Sequence, residues 1–451
     1  MTAARKSLHF EIVDGGNFIK YILFFACWLG FAPFQNALGA ESGAETSDKE
    51  IILASNSIGS LVDLSLEQLL SIPISIAGNK AISNREAPAV TSVITRQEIL
   101  NIGARSLQDA LTVLVPGYSA SAFADVNTFM VRGFGASSGK ALVMVDGLEV
   151  TERILAATYL GNNYNLDNVD HIEVIRGPGS ANYGFSAEVT VINVVTRSAS
   201  ENSAYAAFTN SQMSDTYSYR GITLGYLKEI GDLKNSFSFT GMPGNGTQAN
   251  IIEPFNGQTV STLGLNQLNL FNLNFQLEYK GLSFKSFINQ YRTTTFYNDL
   301  GVPPDPYFVG NGMERNFDQA IYELKYDYEL SRSFKIIPRI LFKREAPYNN
   351  DIFLVDPSCP GGICDRRAFH KVADTAIAEI GSSWDVTDTF NLMSGLSATK
   401  SKYSLGEPGT QYEVRTFETG GRSEPWLIYN YAIYTQGSWY TPYVNDTRRT
   451  L

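Results

Sequence analysis

Beyond residue 200 apolar and polar side chains alternate one for one. Tyr322, Leu324, Tyr326, Tyr328 and Leu330 occupy every second position, and so do Phe334, Ile336, Pro338, Ile340 and Phe342. Leu273, Phe275, Leu277 and Tyr279 repeat the pattern, as do Leu427, Tyr429, Tyr431 and Ile433. A period of two places successive side chains on opposite faces of a strand. Each run approaches the about 9–11 residues with which a tilted strand crosses a bilayer. One face is apolar, suited to lipid; the other carries Asn, Gln, Lys, Glu, Ser and Thr, suited to a wet lumen. The pattern predicts about ten strands, near 204–210, 217–228, 233–240, 268–280, 282–292, 318–330, 333–344, 370–385, 388–402 and 425–440. A short turn is expected at 329–333 and long outer loops at 241–260, 293–313 and 346–367. A soluble sandwich with one solvated face would alternate in the same way.

Residues 80–198 follow other rules and read as a compact α+β unit. Val90 to Ile94 is a strand by its β-branched content. Thr95-Arg-Gln-Glu98 is a capping box that opens a short helix, and Gly103 ends it. Ser106 caps a second helix carrying Leu107, Ala110, Leu111 and Leu114, stopped by Pro116-Gly117. Val131-Arg-Gly133 and Ala141-Leu-Val-Met-Val-Asp-Gly147 supply strands and turns, with Asp146-Gly147 a strong turn signal. Ile172 to Ile175 and Val189 to Val195 read as two strands about the tight turn Gly177-Pro-Gly179. The glycine spacing there is not that of a dinucleotide loop, and a strand rather than a helix follows.

Ahead of this unit, Arg5, Lys6 and Lys20 precede an apolar run from Tyr21 to Phe34, with Ala37, Gly39 and Ala40 after it. That is a secretory signal over 1–40, too short for a spanning helix, although an uncleaved anchor has the same signature. Residues 41–79 form a polar leader with a short helix, in which Ser65-Leu-Glu-Gln68 is a capping box and Leu66, Leu69 and Leu70 share a face. Cys359 and Cys364, in a Pro/Gly-rich loop, suit a local disulfide in an oxidising compartment. A metal site with His370 as a third ligand is the alternative. The formal charge is −10, with 24 Tyr, 27 Phe and 38 Gly. That balance disfavours nucleic acid, which wants a basic face, and fits an antiparallel β protein of the outer-membrane kind.

The stretch His171-Ile-Glu-Val-Ile-Arg-Gly-Pro-Gly-Ser-Ala-Asn-Tyr-Gly184 followed by Val189-Thr-Val-Ile-Asn-Val-Val-Thr-Arg197 resembles the plug signature of TonB-dependent outer-membrane receptors. Four further pieces match in order: Ala87-Pro88 leading to Ile94-Thr-Arg-Gln-Glu-Ile99, Pro116-Gly117, Val131-Arg-Gly133 and Leu142-Val-Met-Val-Asp-Gly147. Thr190 departs from the pattern, where that family usually has Gly. The resemblance implies an α+β plug domain at 80–198 followed by an antiparallel transmembrane β-barrel over 199–451. It also implies residence in the outer membrane of a Gram-negative bacterium and import of a scarce, bulky nutrient such as a ferric siderophore, cobalamin or haem. TonB and outer-membrane lipid are the implied partners. A TonB box, paired by β-augmentation, falls on Ile72, Pro73, Ile74, Ser75, Ile76 and Ala77. Arg132, Glu173 and Arg176 become charges that hold the plug releasably. Tyr118, Phe123, Asp125 and Phe134 fall on outward loops that contact ligand, while Phe129 reads as core.

About ten strands cannot close around a plug of this size, because plugged barrels use about 22. The barrel is therefore expected to be incomplete. No catalytic set emerges: His9, His171 and His370 are isolated, and neither G-x-S-x-G nor H-E-x-x-H occurs. No cofactor is implied. The alternative function is a secreted or surface β-rich binding protein without transport.

Overall fold

A computed structural model describes residues 73–74, 82–83, 90–123, 126–135, 140–152, 158–160, 163–177, 187–212, 217–246, 250–252, 259–261, 268–297, 308–355, 363–369, 371–387, 390–405 and 411–418. All fall in one compact unit, Leu64–Leu451. The signal, the leader helix, Cys359, His370 and the 425–440 strand lie outside the described residues.

The α+β unit begins with two short paired strands, β1 (Pro73–Ile74) and β2 (Ile82–Ser83). Strand β3 (Thr91–Thr95) then runs into helix α1 (Arg96–Asn101). Thr95 and Glu98 form the expected capping box, which satisfies two backbone donors that the first helical turn leaves open. Helix α2 (Leu107–Leu114) is capped by Ser106 and buries Leu107, Ala110 and Leu111. A three-stranded sheet follows, made of β4 (Tyr118–Phe123), β5 (Val126–Val131) and β6 (Phe134–Gly135).

The central sheet takes β7 (Ala141–Val145), β8 (Leu148–Glu149), β9 (Val169–Arg176) and β10 (Thr190–Thr196) in the order β3-β9-β10-β7-β8. Strand β10 pairs antiparallel with β9 and parallel with β7. Every residue of β7 is buried, as a strand covered on both faces requires. β9 ends at Arg176 and β10 starts at Thr190, as the two apolar runs predict, while Pro178 and Gly179 of the expected turn lie outside the described residues.

From residue 204 onward the alternating chain forms one antiparallel sheet. Its strands are β11 (Ala204–Gln212), β12 (Tyr217–Ile230), β13 (Leu233–Met242), β16 (Leu268–Tyr279), β17 (Leu282–Tyr297), β18 (Phe308–Tyr326), β20 (Phe334–Val355), β22 (Lys371–Thr387), β23 (Phe390–Leu405) and β24 (Gln411–Glu418), in that spatial order. β19 (Tyr328–Ser331) and β21 (Ile363–Phe369) extend the pairing with β20, and β14 (Asn250–Ile252) pairs with β15 (Thr259–Ser261) in a separate hairpin. Among the described residues β11 and β24 are the two edges.

The turns at 231–232, 280–281 and 332–333 are short and lie at one end of the sheet, where two residues also separate β22 from β23. Lys280 and Gly281 both take positive φ, the backbone twist that suits a two-residue hairpin. Of the long loops at the other end, the first spans 243–267, longer than expected, and carries the β14–β15 hairpin, while the other two are shorter than expected. β17 continues to Tyr297, β18 starts at Phe308, and β20 runs to Val355. Backbone ladders need no apolar face, so pairing outlasts the alternation from which the loops were read.

The two faces of the sheet separate as the alternation predicts. Leu324, Tyr326, Tyr328, Leu330, Ile340, Phe342, Ile380, Trp384, Leu392 and Leu396 are exposed. Thr223, Ser238, Thr240, Asn272, Asn274, Asn289, Thr375 and Ser401 are buried on the other face. That inner face is not wholly polar, however. Phe287, Ile321, Leu341 and Ile377 join the same buried cluster as Val143, Leu160 and Val150 of the α+β unit. No described helix is long and apolar enough to cross a membrane. Antiparallel strands of this length with one exposed apolar face are the other kind of element that can span a bilayer.

Candidate functional site

The site is the seam between the α+β unit and the inner face of the sheet. Long polar side chains project from every second position of the strands and reach the smaller unit. Gln319 Nε2 donates to the Val150 carbonyl and Lys343 Nζ to the Thr151 carbonyl, both at 2.7 Å. Lys285 Nζ donates to the Asp146 carbonyl at 2.7 Å, and Asn289 Nδ2 to Asn163 Oδ1 at 2.6 Å. In the opposite direction Asn165 Nδ2 donates to Thr223 Oγ1 and Thr240 Oγ1, and Asn168 Nδ2 to Ser238 Oγ. Tyr159 also packs against Phe317, their ring centroids 4.5 Å apart. These hydrogen bonds, each of modest net worth because water can replace it, add to the apolar contact that Phe287, Ile321, Leu341 and Ile377 make with the α+β unit.

Asp146 is the most connected residue of the seam. The Asp146-Gly147 turn between β7 and β8 holds both residues at positive φ. One carboxylate oxygen accepts from the Thr196 backbone N–H at 2.8 Å. The other accepts from Thr196 Oγ1 at 2.8 Å and from Gln276 Nε2 at 2.5 Å. Burial raises the pKa of this carboxyl, while Lys285 and the Thr196 bonds oppose the rise. Further along the wall, Lys343 and Glu345 form a buried pair at 2.6 Å, and Arg339 bonds Glu323 at 2.5 Å. Buried charges persist only when paired in this way.

Inside the unit, Thr190 stands where the resembled family usually has Gly, and the packing accommodates it. Its side chain is fully buried and donates to the Ile175 carbonyl at 2.7 Å. The Tyr118 hydroxyl meets the same Thr190 oxygen, and the Tyr118 ring stacks on buried Phe129. Burial pushes the Tyr118 phenol up to about 12, with the Thr190 bond opposing the rise.

The sequence-predicted residues scatter across this site. Glu173 is buried within the unit and accepts from Asn193 Nδ2 at 3.0 Å; Arg176 is half-buried and Arg132 exposed. Tyr118, expected on an outward ligand loop, is a core residue, because its ring is covered by Phe129 and its hydroxyl by Thr190. Phe134 is exposed, with the Lys140 ammonium 5.9 Å above its ring. Phe129 is buried, as read. Phe123 ends β4, while Asp125 lies outside the described residues. Of the candidate TonB box only Pro73 and Ile74 are described, in register with Ser83 and Ile82. Ile72, Ser75, Ile76 and Ala77 are outside, and of the cysteines only the backbone of Cys364, within β21, is described.

His171, read as isolated, is engaged. Its Nδ1 lies 2.6 Å from Asp170 Oδ2 and its Nε2 3.5 Å from Glu173 Oε1. Burial opposes protonation, but the two carboxylates outweigh it and lift the imidazole to about 9. The signal was present in the sequence: Glu173 follows at the next position on the same face of a strand.

The sequence model of the TonB-dependent Receptor Plug Domain matches residues 83–191. The iron-regulated outer membrane virulence protein of Vibrio cholerae is 36 % identical over 119 residues, covering 25 % of this chain and 18 % of that protein. The vitamin B12 transporter BtuB of Vibrio vulnificus is 37 % identical over 123 residues, with the same two shares. The catecholate siderophore receptor Fiu of Escherichia coli is 27 % identical over 223 residues, covering 48 % of this chain and 26 % of Fiu. The matched chain thus spans a quarter or less of the Vibrio relatives and about a quarter of Fiu. A ferric enterobactin receptor of Pseudomonas aeruginosa shares the fold at 14 % identity and a TM-score of 0.50, over 72 % of this chain and 50 % of that one. The chain thus carries, over residues 83–191, the plug domain of TonB-dependent receptors, and its plug and antiparallel sheet share the fold of that ferric enterobactin receptor.

Proposed function

We propose that the chain serves nutrient import across the outer membrane. It would bind a bulky iron chelate, cobalamin or haem at the cell surface and pass it inward with energy drawn from TonB. The observation that supports this reading is the seam. The plug is retained by separate side-chain hydrogen bonds from Gln276, Lys285, Asn289, Gln319 and Lys343. Bonds of that kind hold a stopper firmly at rest and exchange for water when it moves. The work is binding and translocation rather than bond-making chemistry.

Ile72 to Ala77 is the segment we assign to TonB, as a strand added to the partner's edge. Phe123, Asp125 and Phe134 are assigned to ligand contact, with exposed Phe134 the strongest of them. Arg132, Glu173 and Arg176 are assigned to plug retention, and Cys359 with Cys364 to a loop disulfide.

The test is uptake in a Gram-negative strain lacking its own receptors, given a ferric catecholate, cobalamin or haem in turn. Growth on one ligand, lost when TonB is removed or when Ile74→Pro breaks the box, supports the reading. Surface expression without binding of any of the three would refute it and favour a β-rich binding protein without transport.

A further inference from the structure

The chain passes from the plug to the wall through residues 197–203, and that segment is seated on the wall's first hairpin. Tyr205 of β11 stands opposite Gly225 of β12. A Cβ on Gly225 would lie 2.1 Å from two ring carbons of Tyr205, so the ring rests on bare backbone and only glycine leaves it room. Arg197 packs on the same ring, its guanidinium carbon 4.0 Å from the centroid. Arg197 Nε and Nη2 both donate to Glu201 Oε2, at 2.9 and 2.5 Å. Its backbone N–H donates to the Asn168 carbonyl at 2.9 Å. Arg96 Nη1 takes the carbonyls on either side, of Asp167 at 2.9 Å and of Val169 at 2.6 Å. Two arginines thus hold three successive plug carbonyls. The segment is also bonded to β12: the Leu227 N–H donates to the Ser203 carbonyl at 2.8 Å and the Glu229 N–H to Asn202 Oδ1 at 3.1 Å.

A body held at one edge moves most at the edge farthest away. From β12 to β20 the sheet crosses five strand spacings, about 24 Å along the wall. A rotation of the plug by about 10° on the seat would shift the contacts at β20 by about 4 Å, more than a hydrogen bond tolerates. The bonds from Gln319 to Val150 and from Lys343 to Thr151 lie toward that end.

We propose that Gly225, Tyr205 and Arg197 form the pivot on which the plug turns, and that the passage opens first against β18 and β20. The inference rests on the import reading, in which the plug has to move. Tyr205 and Arg197 are positioning residues, acting by holding the plug's exit end still.

Amide exchange of the full chain in lipid nanodiscs, in graded urea, tests this without any transport. The amides of Val150 and Thr151, both bonded to the Val143 carbonyl, report the β20 side. Those of Arg197, Leu227 and Glu229 report the seat. Val150 and Thr151 should open at the lower urea concentration. Arg197→Met should quicken exchange at the seat about tenfold and leave Val150 and Thr151 within about twofold. Gly225→Ala, which drives the ring off its seat, should do the same. Tyr205→Phe keeps the ring and should stay within about twofold at all of these amides. On a Tyr205→Ala background Gly225→Ala should add less than about twofold, since no ring is left to displace. Quickening of the seat and the β20 side alike is what a merely structural role gives, and it overturns the proposal. So does a seat that opens before Val150 and Thr151, or exchange unmoved by both Arg197→Met and Gly225→Ala. Failure to import a ferric catecholate, cobalamin or haem, with the order of opening intact, refutes the import reading alone.

Discussion

The Tyr118–Thr190 contact ties the three-stranded β4–β6 sheet to the central sheet, and its strength can be worked out. Tyr118→Phe removes one buried hydroxyl. Thr190 Oγ1 keeps its bond to the Ile175 carbonyl, so no polar group is orphaned, and the cost is one net hydrogen bond, about 1 kcal/mol. Thr190→Val is nearly isosteric but strands the Tyr118 hydroxyl in a site only 7 % exposed, which costs about 1–3 kcal/mol. The double variant leaves no orphan and should be less destabilised than the sum of the singles, by about 1 kcal/mol. Amide exchange in the intact chain reads this locally. Exchange of β4 and β5 should quicken about fivefold in Tyr118→Phe and about fivefold to a hundredfold in Thr190→Val, since 1.4 kcal/mol is about tenfold. Strictly additive single effects, or acceleration spread evenly over the whole sheet, would refute the idea that this pair is a local tie.

Three other outcomes are expected. The raised pKa of His171 adds stability that is complete below about 6.5, its unfolded value, and disappears as pH rises through about 9. An imidazole NMR titration with a midpoint near 6.5 would contradict it, and His171→Gln should flatten the loss of plug stability over that window. Lys343→Met leaves Glu345 buried without its cation and should cost about 3–5 kcal/mol, more than Lys343→Met with Glu345→Leu. The midpoint of heat-modified electrophoretic mobility would rank the two, and the reverse order would sink the claim. Ile340→Arg, on the outward face, should lower insertion into lipid vesicles by about 2–4 kcal/mol while leaving detergent-solubilised sheet content unchanged; unaltered insertion would place that face in water.

What was legible in the sequence was local or strictly periodic. The Thr95/Glu98 capping box, the Ser106 cap and the Asp146-Gly147 turn each involve neighbours in the chain, and each appears where expected. The strand positions followed from alternation because one face is buried and a one-residue slip would invert it. The seam was not legible. Gln276, Lys285, Gln319 and Lys343 were visible only as polar positions of strands, and the plug oxygens they bind, the Asp146 carboxylate and three backbone carbonyls, lie more than a hundred residues away in sequence. The placing of Tyr118 failed for the same reason: its cover, Thr190, is 72 residues distant. The parallel β10–β7 pairing, which separates β9 from β7, also left no local trace.

One arrangement of the plug has a mechanical consequence. Among the described residues β3 occupies the outer edge of the five-stranded sheet, paired with β9, and the chain N-terminal to it comes from β1 and β2. Tension arriving from that end would meet the bond from the Arg176 N–H to the Val90 carbonyl first, then the Thr91–Ile175 rung, and open the ladder one rung after another, instead of shearing the whole sheet at once. Such a design yields to a small, sustained tug and would spare the five-rung pairing of β10 with β7, so the plug is built to unravel from one side while its centre endures.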